Sequence, residues 1–272
     1  MPPRPVTLAV VAFWLAMTGW LVWRDLLPNL RPGEPPPFKI DLVDEAQRQG
    51  APIHWKVTRN DRDAFTAKTH VEYVEADDTF NLVCELRPRT RPGDDSARSL
   101  SMDSKYRVTR EGELRSVDVR IALPPVEVRI DGEVRDGKFA PRLRIGGPLE
   151  SEQQLTPVEV SSWGSVLNPL QPLNRLPGLK PGQHWRMPLI DPLADALPSA
   201  LTSSRGIRSV DAQVLPETQE LEWGGQVVDC LMIEYTGDDF HARTWVRASD
   251  GLVLRQETDS RGERMVMERQ KL

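Results

Sequence analysis

Residues 117–145 read VDVRIALPPVEVRIDGEVRDGKFAPRLRI. Val117, Val119, Ile121 and Leu123 alternate with Asp118, Arg120 and Ala122, and Val126, Val128 and Ile130 alternate with Glu127 and Arg129. Phe139, Leu143 and Ile145 alternate with Ala140, Arg142 and Arg144. Successive side chains of an extended chain point to opposite faces, so a period of two predicts strands with one buried and one wet face. Sheets of that kind are as a rule antiparallel. Asp131-Gly132 and Asp136-Gly137 are predicted to separate strand-like runs, because Asp-Gly suits tight hairpins. Pro124-Pro125 predicts an edge or a bend, since proline cannot donate to a central ladder.

The same period extends in both directions. Upstream it takes in Ile53, Trp55 and Val57, then Phe80, Leu82, Cys84 and Leu86, and Glu111-Gly112 divides the run around Tyr106 and Val108 from the one at Val117. Downstream, Val210–Leu215, Leu221–Trp223, Val227–Tyr235, Phe240–Arg247, Leu252–Arg255 and Arg264–Arg269 are strand candidates. Gly224-Gly225 and Asp250-Gly251 supply turns between them. About ten strands in sequence predict a mainly β domain over residues 41–272, built as one strongly curved antiparallel sheet. Residues 146–206 break the pattern with prolines and with Leu167, Leu170, Leu173, Leu176 and Leu179. So much apolar surface does not suit a solvated linker, which predicts an irregular crossover lying against the sheet. Asp191–Leu201 reads as a short helix with Asp191 as N-cap and Pro192 at its first position. Asp41–Gln49 reads as another.

The start of the chain has a different character. Residues 5–23, PVTLAVVAFWLAMTGWLVW, carry no charge. As a helix they would reach about 28 Å, close to the thickness of a bilayer's hydrocarbon core. Trp20 and Trp23 fall where indole rings favour the lipid–water interface. Residues 1–27 are therefore expected to form a single transmembrane signal-anchor, followed by a proline-rich spacer over 28–40. A cleaved signal peptide is the competing reading, but its apolar core is shorter and its cleavage site small, whereas this run ends in Trp-Leu-Val-Trp-Arg-Asp. Flanking charges do not fix the orientation. The short tail before one apolar helix is expected to place the bulk of the chain outside the cytoplasm.

A net charge of −5 with both signs interleaved leaves no basic field for nucleic acid. Cys84 and Cys230 are far apart and form no metal-type cluster, which leaves either one disulfide or two buried thiols.

Residues 240–270, FHARTWVRASDGLVLRQETDSRGERMVMERQ, resemble the closing strands of the LolA/LolB-like fold, and within it bacterial domains of unknown function. The form is a Trp-bearing strand, an Asp-Gly turn, a Leu-x-Leu-Arg strand and a final strand, supplied here by Trp245, Asp250, Gly251, Leu252, Leu254 and Arg255. GLKPGQHWRMPL at 178–189 is similar to the same domains, through Gly178, Pro181, Gly182 and Trp185 leading into a strand. The resemblance spans residues 178–269. It implies a half-barrel whose concave face accepts lipid or acyl chains. A membrane anchor in place of a cleaved signal argues against a soluble shuttle.

No catalytic constellation appears. His54, His70, His184 and His241 include no helical metal pair, and neither a nucleophile elbow nor a phosphate-binding glycine loop is present. His184 is read in a turn. Cys84 sits on an apolar face, which disfavours a thiolate. Asp77-Asp78, Asp94-Asp95 and Asp238-Asp239 read as solvated loop pairs. No cofactor and no metal are expected. The aromatic residues Trp55, Phe80, Trp163, Trp185, Trp223 and Trp245 either fill the core or line an apolar ligand face. Trp245 shares a strand face with His241, Arg243 and Arg247, so it is either exposed or covered by the crossover. The expected role is non-enzymatic: binding a hydrophobic or amphiphilic ligand on the concave face. The alternative is a ligand-free module that docks another envelope protein through a sheet edge or its charged outer face. Contact between His, Cys or paired carboxylates in a pocket would revive a hydrolase.

Overall fold

The computed structural model describes residues 13–14, 17–18, 20, 42–48, 51–89, 100–148, 150–155, 157–159, 173–189, 208–237, 240–260 and 262–271. A short helix, α1 (Leu42–Arg48), opens the domain. The first half of the sheet comprises β1 (Ile53–Arg59), β2 (Arg62–Val74), β3 (Thr79–Pro88), β4 (Ser101–Thr109), β5 (Leu114–Leu123), β6 (Val126–Arg135), β7 (Lys138–Gly146), β8 (Ser151–Gln154) and β9 (Val158–Glu159). The second half comprises β10 (His184–Leu189), β11 (Arg208–Val214), β12 (Gln219–Trp223), β13 (Gln226–Gly237), β14 (Phe240–Arg247), β15 (Val253–Ser260) and β16 (Glu263–Arg269).

All sixteen strands join one open, curved, antiparallel sheet in the order β10-β11-β13-β14-β15-β16-β1-β2-β3-β4-β5-β6-β7-β8. β12 adds to β13, and β9 to β7. Apart from β9 and β12, each half is a meander in chain order, and the β1–β16 pair splices the halves at mid-sheet, with Trp55 opposite Arg269 and Val57 opposite Met267. Turn chemistry sets the register. Asp136-Gly137 and Gly224-Gly225 each occupy two consecutive positive-φ positions of a two-residue hairpin, as do Asn60 and Asp61 between β1 and β2. Pro124-Pro125 makes a two-residue connection with a cis peptide, placing Leu123 opposite Val126.

Three expectations are corrected. Asp131-Gly132 does not turn the chain; it lies inside the continuous strand β6. A Cβ at Gly132 would stand 2.6 Å from the Ala140 carbonyl oxygen and 2.7 Å from the Phe139 ring, so the glycine makes room for a cross-strand aromatic. The segment 146–206 is not wholly irregular, because it contributes β8, β9 and β10. β8 (SEQQ) is exposed at every residue and carries only polar side chains, which leaves no apolar period to read. His184 is the first residue of β10, not part of a turn.

The main core occupies one face. Trp55, Val57, Phe80, Val108, Ile130 and Ile233 are fully buried there. Leu42 of α1 and Leu173 and Leu176 of the crossover join them. A second, smaller cluster forms on the opposite face from Cys230, Met232, Trp245, Leu252 and Leu254. Both cysteines are free, Cys84 beside Leu82 and Leu86 on the main-core side and Cys230 in the second cluster.

Of the apolar run at 5–23, Phe13, Trp14, Met17, Thr18 and Trp20 are helical, and the remainder lies outside the described residues. No helix among the described residues is long and apolar enough to cross a membrane. The spacer over 28–40, Trp163, the helix expected at Asp191–Leu201, and the pairs Asp94-Asp95 and Asp238-Asp239 also fall outside them.

Candidate functional site

On β2 to β5 the buried period takes Ala67 and Thr69, then Leu82 and Cys84, then Ser104 and Tyr106, then Val117 and Val119. The alternate residues therefore face outward in register. One cross-strand row runs His70, Val83, Lys105, Asp118, and on through Asp131 to Arg142. The next runs Lys68, Glu85, Asp103, Arg120, and on through Arg129 and Arg144 to Glu152. Arg120, Arg129 and Arg144 stand directly opposite one another, an arrangement that is repulsive by itself. Carboxylates in the neighbouring row and at the end of the same row offset it. Arg129 donates to both Asp118 oxygens at 3.1 and 2.9 Å, and Arg144 lies 3.5 Å from Asp131 and from Glu152.

Between β2 and β5 these rows enclose an open trough of about 390 Å³. Val83 forms an apolar floor and His70, Glu85, Lys105 and Arg120 rise around it. His70 and Glu72 are in contact, Nε2 to Oε1 at 2.9 Å, and that bond holds the Glu72 carboxyl below its usual range. Nδ1 of His70 is buried without a hydrogen-bond partner. Asp103 is taken up by Arg87 at 2.5 Å, whereas Glu85 reaches Arg87 only at 4.0 Å. Among the described residues Arg120 has a single long pair, 3.8 Å to Asp118. Lys105 forms no ion pair among the described residues.

A His–carboxylate contact alone does not make a hydrolase. The hydroxyl that lines the trough, Ser104 Oγ, is buried and donates to the Cys84 carbonyl at 3.4 Å. Burial pushes the Cys84 thiol up to about 12 and the Cys230 thiol up to about 11, away from nucleophilic character. Among the described residues no three His, Cys, Asp or Glu side chains group so as to hold a metal. Asp77 and Asp78 sit in the β2–β3 turn, where they are spent on Arg107 and Thr79, and on Arg110 and Tyr73.

The aromatic candidates divide between the two faces. Trp55, Phe80 and Trp185 share the main core. Trp55 donates from Nε1 to Thr69 Oγ1 at 2.8 Å, and Phe80 packs against Tyr73 at 5.2 Å. Trp223 and Trp245 belong to the opposite face. Trp245 is nearly buried there, with the Arg255 guanidinium 5.2 Å from its ring centre. Trp223 donates to the Arg269 carbonyl and lies between Arg247 and Lys271. The sequence pointed to the apolar face; the trough escaped it because β2 was not delimited as a strand. The signal was present in the spacing of Lys68, His70 and Glu72, which fixes one face of β2 once its partner β3 is known.

No family model, curated protein or solved structure matches the chain.

Proposed function

We propose that the chain is a non-enzymatic binding module of the bacterial envelope, tethered to the inner membrane by residues 5–23 and held off it by the spacer over 28–40. The charge-free run and its flanking tryptophans support the tether, and the open curved sheet is compatible with the LolA/LolB-like resemblance. On this reading the outer face of β2 to β8 docks another envelope protein. One observation carries it: α1 and the Leu173–Leu176 segment already cover the apolar face, while the charged face presents two ordered rows to solvent. Ordered rows carrying both signs of charge give specificity and register more than raw affinity.

The test is site-specific photocrosslinking in intact membranes, with the probe at Lys68, Arg120 or Arg144 and, as control, at Lys138 in the β6–β7 hairpin. A single discrete adduct from the first three positions is expected, lost when Arg120 and Arg144 are both changed to Glu. Absence of an adduct, or one insensitive to that reversal, counts against docking on this face. Alkaline carbonate extraction tests the tether separately, since the full chain should stay with the membrane and a chain lacking residues 1–27 should not.

A second reading keeps the amphiphile on the apolar face. It is favoured by the way Leu173–Leu176 is held: by one isolated bridge, Arg175 to Leu252, and not by a strand ladder. A segment so attached is easier to displace than a sheet strand. Saturable binding of a fluorescent fatty acid to the full chain would support it.

A further inference from the structure

We infer that the trough between β2 and β5 is a binding site for a small zwitterion, a molecule carrying an ammonium and an oxyanion on a short aliphatic spacer. This goes beyond protein docking, because the trough is a discrete concavity within the charged face. Its volume of about 390 Å³ suits a small molecule and not a strand or a helix.

Three of the carboxylates that line the trough, Asp118, Asp103 and Glu72, are already engaged by near neighbours. Arg129 saturates Asp118, Arg87 takes Asp103, and His70 takes one oxygen of Glu72. Three groups in the trough keep unspent capacity. Among the described residues Glu85 has one ion pair, at 4.0 Å to Arg87, although Lys68 stands across from it on β2; Lys105 has no ion pair, and His70 Nδ1 is buried without a hydrogen-bond partner. Arg120, with only a 3.8 Å pair, adds a second available cation beside Lys105.

The register gives the spacing. Val83 lies opposite Lys105, and Glu85 opposite Asp103, so Glu85 and Lys105 are diagonal neighbours. Diagonal positions on adjacent antiparallel strands sit about 7–8 Å apart. A ligand whose ammonium meets Glu85 and whose oxyanion meets Lys105 and Arg120 must span that gap, and its methylenes then lie over Val83. His70 lines the same space from β2, with its Nε2 held against Glu72. An ion of one sign satisfies one wall and leaves the other unpaired, which is the basis of selectivity for both charges on one molecule.

Amino acids and the ethanolamine phosphate headgroup of a lipid share this chemistry. The experiment is calorimetric titration of the full chain in a maltoside micelle. The probes are glycine, 4-aminobutyrate, 6-aminohexanoate and glycerophosphoethanolamine, against butylamine and butyrate as single-charge controls. One zwitterion is expected to bind saturably and about tenfold or more tighter than either control. Preference for an amino acid assigns a free solute, and preference for glycerophosphoethanolamine assigns a headgroup. Lys105→Met and Glu85→Gln should each abolish the difference, while Arg135→Gln, in the exposed β6–β7 hairpin, should leave it intact. Both trough positions are solvent-facing, and an unchanged melting curve will verify that the variants fold. No saturable binding, equal binding of the controls, or binding that survives Lys105→Met overturns the assignment.

Discussion

Arg247 sets its guanidinium against both carboxylate oxygens of Asp250, 2.8 and 2.7 Å away, and so closes the turn between β14 and β15. Arg175 approaches the same carboxylate at 3.4 Å from the crossover, and the Leu252 amide donates to it at 3.2 Å. One acidic residue therefore ties a hairpin to the segment lying over the core.

Asp250→Asn should destabilise the domain by about 1–2 kcal/mol, since it weakens a bidentate, partly buried pair and leaves two arginines short of charge. The pH dependence has a definite sign. The Arg247 hydrogen bonds hold the Asp250 carboxyl below the usual aspartate range. A depressed carboxyl contributes stability that is fully present above its unfolded value and is lost as pH falls through the folded one. Urea midpoints of the parent and variant should differ at neutral pH and converge as pH drops below about 4.

Gly132→Ala should cost roughly 2–3 kcal/mol although the position is in a strand with ordinary backbone angles, because the new methyl meets a carbonyl and a ring. Gly137→Ala makes the contrast. Nothing lies within 4 Å of its Cβ, and φ is +72°, so only the left-handed conformation is penalised, by about 1 kcal/mol. Equal losses in thermal unfolding would refute the cross-strand account of Gly132.

That pair also shows what could be read from sequence. Both glycines follow aspartate, and local chemistry treats them alike; only the partner Phe139 separates them. β1, β3, β5 and β14 were legible because one face of each is deeply buried and apolar. β2 was not, since its fully buried residues are Ala67 and Thr69 and its larger apolar side chains are only partly covered. The trough is assembled from four strands that share no motif. Its components are ordinary charged residues until register sets Glu85 diagonal to Lys105. Trp185 and Trp245 are similarly plain in sequence, and cross-strand pairing alone assigns them to opposite faces.

Cys84 and Cys230 lie on opposite sides of the sheet as buried free thiols. The mass of the native protein should not change on reduction, and the thiols should resist a disulfide reagent until denaturant is added, when both react. Raised thiol pKa values reinforce the protection, because the thiolate is the attacking species. Rapid reaction of either cysteine in the folded protein would contradict its placement.

The Leu173–Leu176 segment separates stability from ligand access. Its leucines are buried in the main core, so Leu176→Ala should cost about 2–4 kcal/mol by lost burial and an unfilled cavity. Its backbone attachment is slight: Leu176 donates to the Gly251 carbonyl and Asn174 accepts from Val253. Arg269 adds a donor to the Asn174 side chain at 2.7 Å. Asn174→Ala should loosen this latch at a cost of about 1–2 kcal/mol, since a partly buried guanidinium loses an acceptor. If the apolar face takes an amphiphile by displacing the segment, both variants should bind a fluorescent fatty acid more tightly than the parent while being less stable. Ligand that no longer works against the buried leucines gains what the fold has lost. If the segment is simply core, stability falls and no binding appears, and the charged outer face is left as the chain's working surface.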